Sequence, residues 1–140
     1  MQRLKFGEMR HLLCLGAHSD DIEIGCGGTI LQLLAAHPQL EVHWVVFSAN
    51  PARKAEALAS ASAFLQGAAR QNVVVHGFRD GYFPSIGGAV KDEFEAIREA
   101  VSPDLIFTHC RHDLHQDHRL LCELTYNTFR DHLILEYEIP

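Results

Sequence analysis

Apolar residues fall along this chain in short blocks, and amphipathic stretches separate them. Leu12-Leu13-Cys14-Leu15 lies in a block over 10–16 that predicts a buried strand. Val42, Trp44, Val45 and Val46 centre a second strand over 41–47. Residues 72–76 predict a third, Leu105-Ile106-Phe107-Thr108-His109 a fourth, and 133–137 a short fifth. Between them the apolar spacing turns helical. Helices are predicted over 27–36, ending before His37-Pro38, and over 51–65, opened by Pro51 and closed by Gln66-Gly67. Two more are predicted over 91–101, stopped by Pro103, and over 115–129. Residues 77–89, with Arg79-Asp80-Gly81-Tyr82-Phe83-Pro84 and Gly87-Gly88, predict the longest irregular loop. Loops of that length often carry function.

Strands that alternate with helices predict an α/β fold: a Rossmann-like three-layer sandwich around a mostly parallel sheet. Right-handed crossovers and doubly wound order put strands one and four side by side. Their C-terminal ends then flank the crevice in which such sheets bind ligands. Two polar clusters fall at those ends. Ala17-His18-Ser19-Asp20-Asp21 follows strand one, and His112-Asp113-Leu114-His115-Gln116-Asp117-His118 follows strand four.

Composition narrows the classes of function. The 140 residues are 47% hydrophobic and 21% charged, which fits one domain, 1–140, with its own core. A net charge of -6 and scattered Lys and Arg argue against nucleic acid as partner. No apolar run approaches the roughly 20 residues of a membrane span. No signal-like segment opens the chain, so a cytoplasmic location is expected. Cys14, Cys26, Cys110 and Cys122 form no C-x-x-C pair and read as reduced thiols. The ten histidines are the anomaly, with His109, His112, His115 and His118 inside ten residues. His11, His37, His43 and His132 read as structural or solvated, and Trp44 and Phe47 as core. Gly25-Cys26-Gly27-Gly28 lacks phosphate-loop spacing. Close packing of the first helix on strand one explains it better.

The two clusters together point to a metal site. Catalytic zinc centres use three protein ligands and leave a position for water, whose proton a nearby carboxylate takes. His18, Asp21 and His118 make such a set, with Asp20 as general base. His115 and His118 share a helix face, so one can bind metal while the other meets a developing oxyanion. Asp117 or Asp113 could orient a ring nitrogen. Arg53, in the first turn of the second helix, is positioned to contact substrate.

Ala17-His18-Ser19-Asp20-Asp21-Ile22-Glu23 resembles the A-H-P-D-D-E signature of the LmbE/PIG-L-like zinc-dependent N-deacetylases. His115-Gln116-Asp117-His118-Arg119 resembles that family's H-P-D-H segment. Arg53-Lys54-Ala55-Glu56 and Asp80-Gly81 fall where the family has an arginine-rich helix start and a D-G turn. The resemblance implies removal of an acetyl group from an N-acetylated amino sugar or glycoconjugate. It implies zinc, or another divalent metal such as Fe2+, on His18, Asp21 and His118. It implies Asp20 as base, His115 as oxyanion stabiliser with Asp117 as its partner, and Arg53 as a substrate contact. Ser19 stands where the family has proline. Family members are longer, so the resemblance also implies that a C-terminal part is lacking and that the strand over 133–137 offers an edge for a homo-oligomer. A metal-binding fragment without turnover and a metal-dependent phosphoesterase are the competing readings.

Overall fold

A computed structural model describes residues 5–140. Five strands, β1 (His11–His18), β2 (Glu41–Ser48), β3 (Arg70–Val75), β4 (Leu105–His109) and β5 (Ile134–Tyr137), form one parallel sheet in the order β3-β2-β1-β4-β5. Four helices connect them: α1 (Asp21–Ala36), α2 (Pro51–Phe64), α3 (Gly87–Ala100) and α4 (Gln116–Thr128). Among the described residues no helix is long and apolar enough to cross a membrane.

The unbroken apolar run of β1 follows from its central place, because a strand covered on both faces needs apolar residues at every position. Leu12 and Cys14 face a core that includes Ile22, Ile30, Trp44 and Ala57, on the α1 and α2 side. Leu13, Leu15 and Ala17 face Phe47, Phe94, Leu121 and Phe129, on the α3 and α4 side. The two cores sandwich the sheet, as the three-layer expectation requires. β1 pairs directly with β4 through Leu12–Leu105, Leu13–Ile106 and Cys14–Phe107. The sheet reverses its winding between these two strands, so their C-terminal ends open the binding crevice.

Two boundaries differ from expectation. Helix α1 begins at Asp21, not near Gly27, so Gly25-Cys26-Gly27-Gly28 is helix interior and its amides are not free to cradle phosphate. Glycine normally costs a helix about 1 kcal/mol. Here the missing side chains permit close approach, but the surfaces they meet are not β1. A Cβ at Gly25 would overlap the Tyr137 ring on β5, and one at Gly27 would come within 2.7 Å of the Phe64 ring on α2. Helix α3 likewise starts earlier, at Gly87, directly after a 3-10 turn over Phe83–Ile86. The predicted long loop is therefore confined to residues 76–82.

Candidate metal centre

His18 is the last residue of β1, and α1 starts at Asp21. The tight passage between them fixes both side chains. The buried Asp21 carboxylate accepts the His18 backbone N–H through Oδ2 at 2.8 Å. Asp20 makes the turn possible with φ 85°, the left-handed region that non-glycine residues seldom adopt. It occupies the N-cap position, yet its carboxylate caps no helical N–H. The exposed Asp20 Oδ2 instead lies 3.4 Å from Arg53 Nη2. An aspartate with strained backbone and no capping role is the kind of residue a functional site retains.

Helix α4 supplies the second half. His115 is its N-cap, and its Nδ1 accepts the Asp117 backbone N–H at 3.1 Å. His118 follows one turn later and stacks on His115, with ring centroids 4.6 Å apart. The three proposed ligand atoms form a nearly equilateral triangle. His18 Nδ1 to His118 Nε2 is 3.2 Å, His18 Nδ1 to Asp21 Oδ2 is 3.4 Å, and His118 Nε2 to Asp21 Oδ2 is 3.3 Å. A tetrahedral zinc ion with ligands at about 2.0–2.1 Å holds them about 3.3 Å apart. The donor set therefore fits such an ion.

Hydrogen bonding separates the proposed ligands from the other clustered histidines, although His115 and His109 also fall in groups able to hold a metal ion. His18 Nε2 is held by Asp80 Oδ1 at 3.0 Å and Asp117 Oδ2 at 3.1 Å, which leaves Nδ1 as the nitrogen facing Asp21 and His118. His118 Nδ1 lies 2.9 Å from Asp113 Oδ2, which frees its Nε2 in the same way. His115 accepts a backbone N–H at Nδ1, so its proton lies on Nε2, where it can donate to an anionic oxygen. His109, at the end of β4, stacks on His118 at 3.9 Å but accepts the Ala17 N–H at Nε2. The same Nε2 lies 3.2 Å from Asp21 Oδ2, and the fully buried ring forms a wall behind His118.

The charges reinforce one another. Burial opposes charge on His18, but contacts with Asp21, Asp117 and Asp80 outweigh it and raise its pKa to about 9. Burial likewise opposes charge on His118, and Asp21 with Asp113 raises it. Burial pushes the Asp21 pKa up, yet His109, His118 and His18 together hold it well below the usual carboxylate range. Burial, against the pull of Asp21, keeps His109 below its ordinary value. Four carboxylates around two imidazoles make a pocket whose field attracts a cation.

The predicted residues thus converge, with a different division of labour for two of them. The Asp117 carboxylate lies within 4.8 Å of a His115 ring nitrogen, but its hydrogen bonds go elsewhere. It is fully buried and accepts the Gly81 N–H at 2.7 Å and the Phe83 N–H at 3.1 Å, besides holding His18. Gly81, at φ 80°, lets the turn aim its N–H there. Asp113 is the carboxylate that orients His118. Sequence reasoning gave no role to His109, although it ends β4 as His18 ends β1, and none to the Asp80 carboxylate. Arg53 lines a cleft of ≈ 530 Å³ with His18, Ser19, Asn50 and Asp80. A second cleft, of ≈ 670 Å³, is lined by Asp113, Leu114, His115 and His118 on the other side.

Comparison with known proteins identifies the family and the fold. The family described as PIG-L, GlcNAc-PI de-N-acetylase, matches residues 13–129. No curated protein sequence matches the chain. Among solved structures, a conserved protein from Thermus thermophilus superposes with TM-score 0.71 at 23% identity, covering 94% of this chain and 67% of that one. The N,N'-diacetylchitobiose deacetylase from Pyrococcus horikoshii gives 0.68 at 23% identity, over 88% and 50%. The 4-carboxy-2-hydroxymuconate hydratase from Pseudomonas putida gives 0.67 at 22% identity, over 86% and 55%. The chain therefore spans between half and two thirds of the length of these structures. At such identities the likeness speaks for the fold, which serves more than one reaction.

Proposed function

This chain belongs to the PIG-L family of de-N-acetylases, and from that premise we propose that it is a zinc-dependent hydrolase of N-acetylated amino sugars or glycoconjugates. The observation that carries the reading is the triangle of His18 Nδ1, Asp21 Oδ2 and His118 Nε2, with edges of 3.2–3.4 Å. When bound there, the ion would polarise the amide carbonyl and acidify a water molecule. Asp20 takes the proton of the attacking water and passes it to the departing nitrogen. A C–O bond forms and the C–N bond breaks, giving acetate and a free amine. His115 donates Nε2–H to the oxyanion of the tetrahedral intermediate. Asp117 holds His18 and the Gly81 turn in place, and Arg53 orients hydroxyl or anionic groups of the substrate. The triangle of two imidazole nitrogens and one carboxylate oxygen supports this over phosphate-ester hydrolysis, which more naturally uses two metals.

The test pairs metal content with amine release. Zinc-loaded protein is incubated with N-acetylglucosamine and N,N'-diacetylchitobiose, and free amine is measured. His118→Ala is expected to hold one zinc fewer per chain than the parent and to release no amine. Equal zinc content in this variant would refute the ligand set. Zinc lost from the variant, with no amine released by the parent, would reduce the reading to a metal-binding domain without turnover.

A further inference from the structure

The opposite end of the sheet carries a second cluster that the proposed reaction does not use. His11 opens β1 and Glu41 opens β2, and the two are register partners. His43 lies two residues on from Glu41, so all three side chains leave the same face of the sheet. One ligand atom from each lies within 4.8 Å of the others. His11 Nδ1 is 3.8 Å from Glu41 Oε2, and the two imidazole centroids are 5.9 Å apart.

The decisive detail lies at the nitrogens. His11 Nδ1 and His43 Nε2 are both shielded from solvent and have no hydrogen-bond partner. Buried polar atoms are nearly always paired, and two orphan nitrogens on neighbouring imidazoles require an explanation. A protonated His11 paired with Glu41 would satisfy one of them only. We propose that His11, Glu41 and His43 form a second divalent-metal site, which takes a zinc-class ion through two imidazole nitrogens and one carboxylate oxygen.

The surroundings suit that role. Burial, with His11 close by, lowers the His43 pKa against the pull of Glu41. The Asn72 side chain on β3 sits 3.4 Å from His43 Nδ1. Asn72 presents its Nδ2 there; with the amide turned over, its oxygen accepts an Nδ1–H and Nε2 is left as the ligand atom. The spacing here is wider than the roughly 3.3 Å edges of a tetrahedral zinc site. His11 and Glu41 must draw inward to close it, and side chains 37% and 34% exposed have room to do so. The site therefore binds more weakly than the centre at the other end of the sheet. Occupancy would tie the first residues of β1 and β2 together, so the ion should raise thermal stability.

The inference does not depend on the catalytic reading, and the experiment keeps the two apart. Chelator-stripped protein is titrated with Zn2+ against a chromophoric competitor, and Tm is followed with and without Zn2+. The parent is expected to show two classes of site. His43→Ala and Glu41→Gln should weaken the second class by more than about tenfold and leave the first intact. His118→Ala should do the reverse, and its remaining zinc-dependent rise in Tm should vanish in His118→Ala/His43→Ala. Glu41→Gln is nearly isosteric, so it decides the matter if His43→Ala fails to fold. A parent with one class of site, unaltered by Glu41→Gln, would overturn the proposal.

Discussion

At the C-terminal end of the sheet, each ligand imidazole has its other nitrogen held by a carboxylate: His18 by Asp80 and Asp117, and His118 by Asp113. At the N-terminal end, His43 has only the Asn72 amide at 3.4 Å, and His11 and His43 each keep a buried nitrogen without a partner. The same residue types are thus preorganised at one end and merely gathered at the other. The difference lies in the loops. The strands leave the sheet at the C-terminal end into the turn at Gly81 and the start of α4, and these bring the outer ring of carboxylates. The N-terminal end receives Asp104, which accepts the Arg10 and His11 backbone N–H groups and so ties strands together without touching an imidazole ring.

The largest expected effect concerns Asp20, whose carboxylate neither holds an imidazole nor caps its helix. In an active zinc-loaded preparation, Asp20→Asn should lower kcat by about 10²–10⁴-fold, the usual worth of a general base. Its zinc content should match the parent, because the substitution removes no proposed ligand. A variant that loses zinc would move Asp20 from base to ligand.

The next effect measures preorganisation itself. Asp113→Asn removes the charge that fixes the His118 tautomer, and zinc affinity at the C-terminal centre should fall by about 10–100-fold. Asn72→Ala at the other end should weaken the second site less, because a neutral amide contributes less than a carboxylate. Competition titrations on both variants give the two ratios. If they are equal, the contrast between the ends has no energetic basis.

These contrasts also mark how far the sequence could be read. β1, β2 and β4 were plain from their continuous apolar runs, and the pairing of β1 with β4 followed from doubly wound order. That order alone predicts that His18, Asp21 and His118 come within reach of one another. The choice between Asp113 and Asp117 was not legible. Both lie close to His118 in sequence, and the answer depends on how Arg111–His115 folds back. Arg119 settles that fold by donating to the Asp113 carbonyl at 2.9 Å and the Leu114 carbonyl at 2.6 Å. The sequence places the start of α1 near Gly27 because glycine is a weak helix former, whereas Gly25 and Gly27 lie inside the helix and admit the Tyr137 and Phe64 rings. His11 and His43 looked unrelated because they lie far apart along the chain, and only the register of β1 against β2 joins them.

The smallest effect compares the two carboxylates that tie strands at opposite ends, Asp104 and Glu136. Asp104 holds backbone N–H groups alone, whereas Glu136 on β5 sits in an ionic cluster. It accepts the Arg111 backbone N–H at 2.9 Å and the Tyr126 hydroxyl at 2.9 Å, and its Oε1 lies 2.6 Å from Arg111 Nη2. Burial raises the Glu136 pKa, but the Arg111 and Tyr126 contacts overcome it and lower the pKa from 4.5 to about 2. A carboxylate held below its unfolded pKa stabilises the fold above that unfolded value and loses the contribution as the pH falls through the folded one. The stabilisation from Glu136 is therefore complete above pH 4.5 and gone near pH 2. Arg111 is exposed, so solvent and salt screen the pair. Glu136→Gln should lower Tm by only about 1–3 °C above pH 4.5, and the gap from the parent should close as the pH approaches 2. Salt at about 1 M should narrow the same gap. Thermal melts of both proteins across this range provide the measurement. A gap that persists at pH 2, or one indifferent to salt, would mean that Glu136 holds β5 by packing and not by charge.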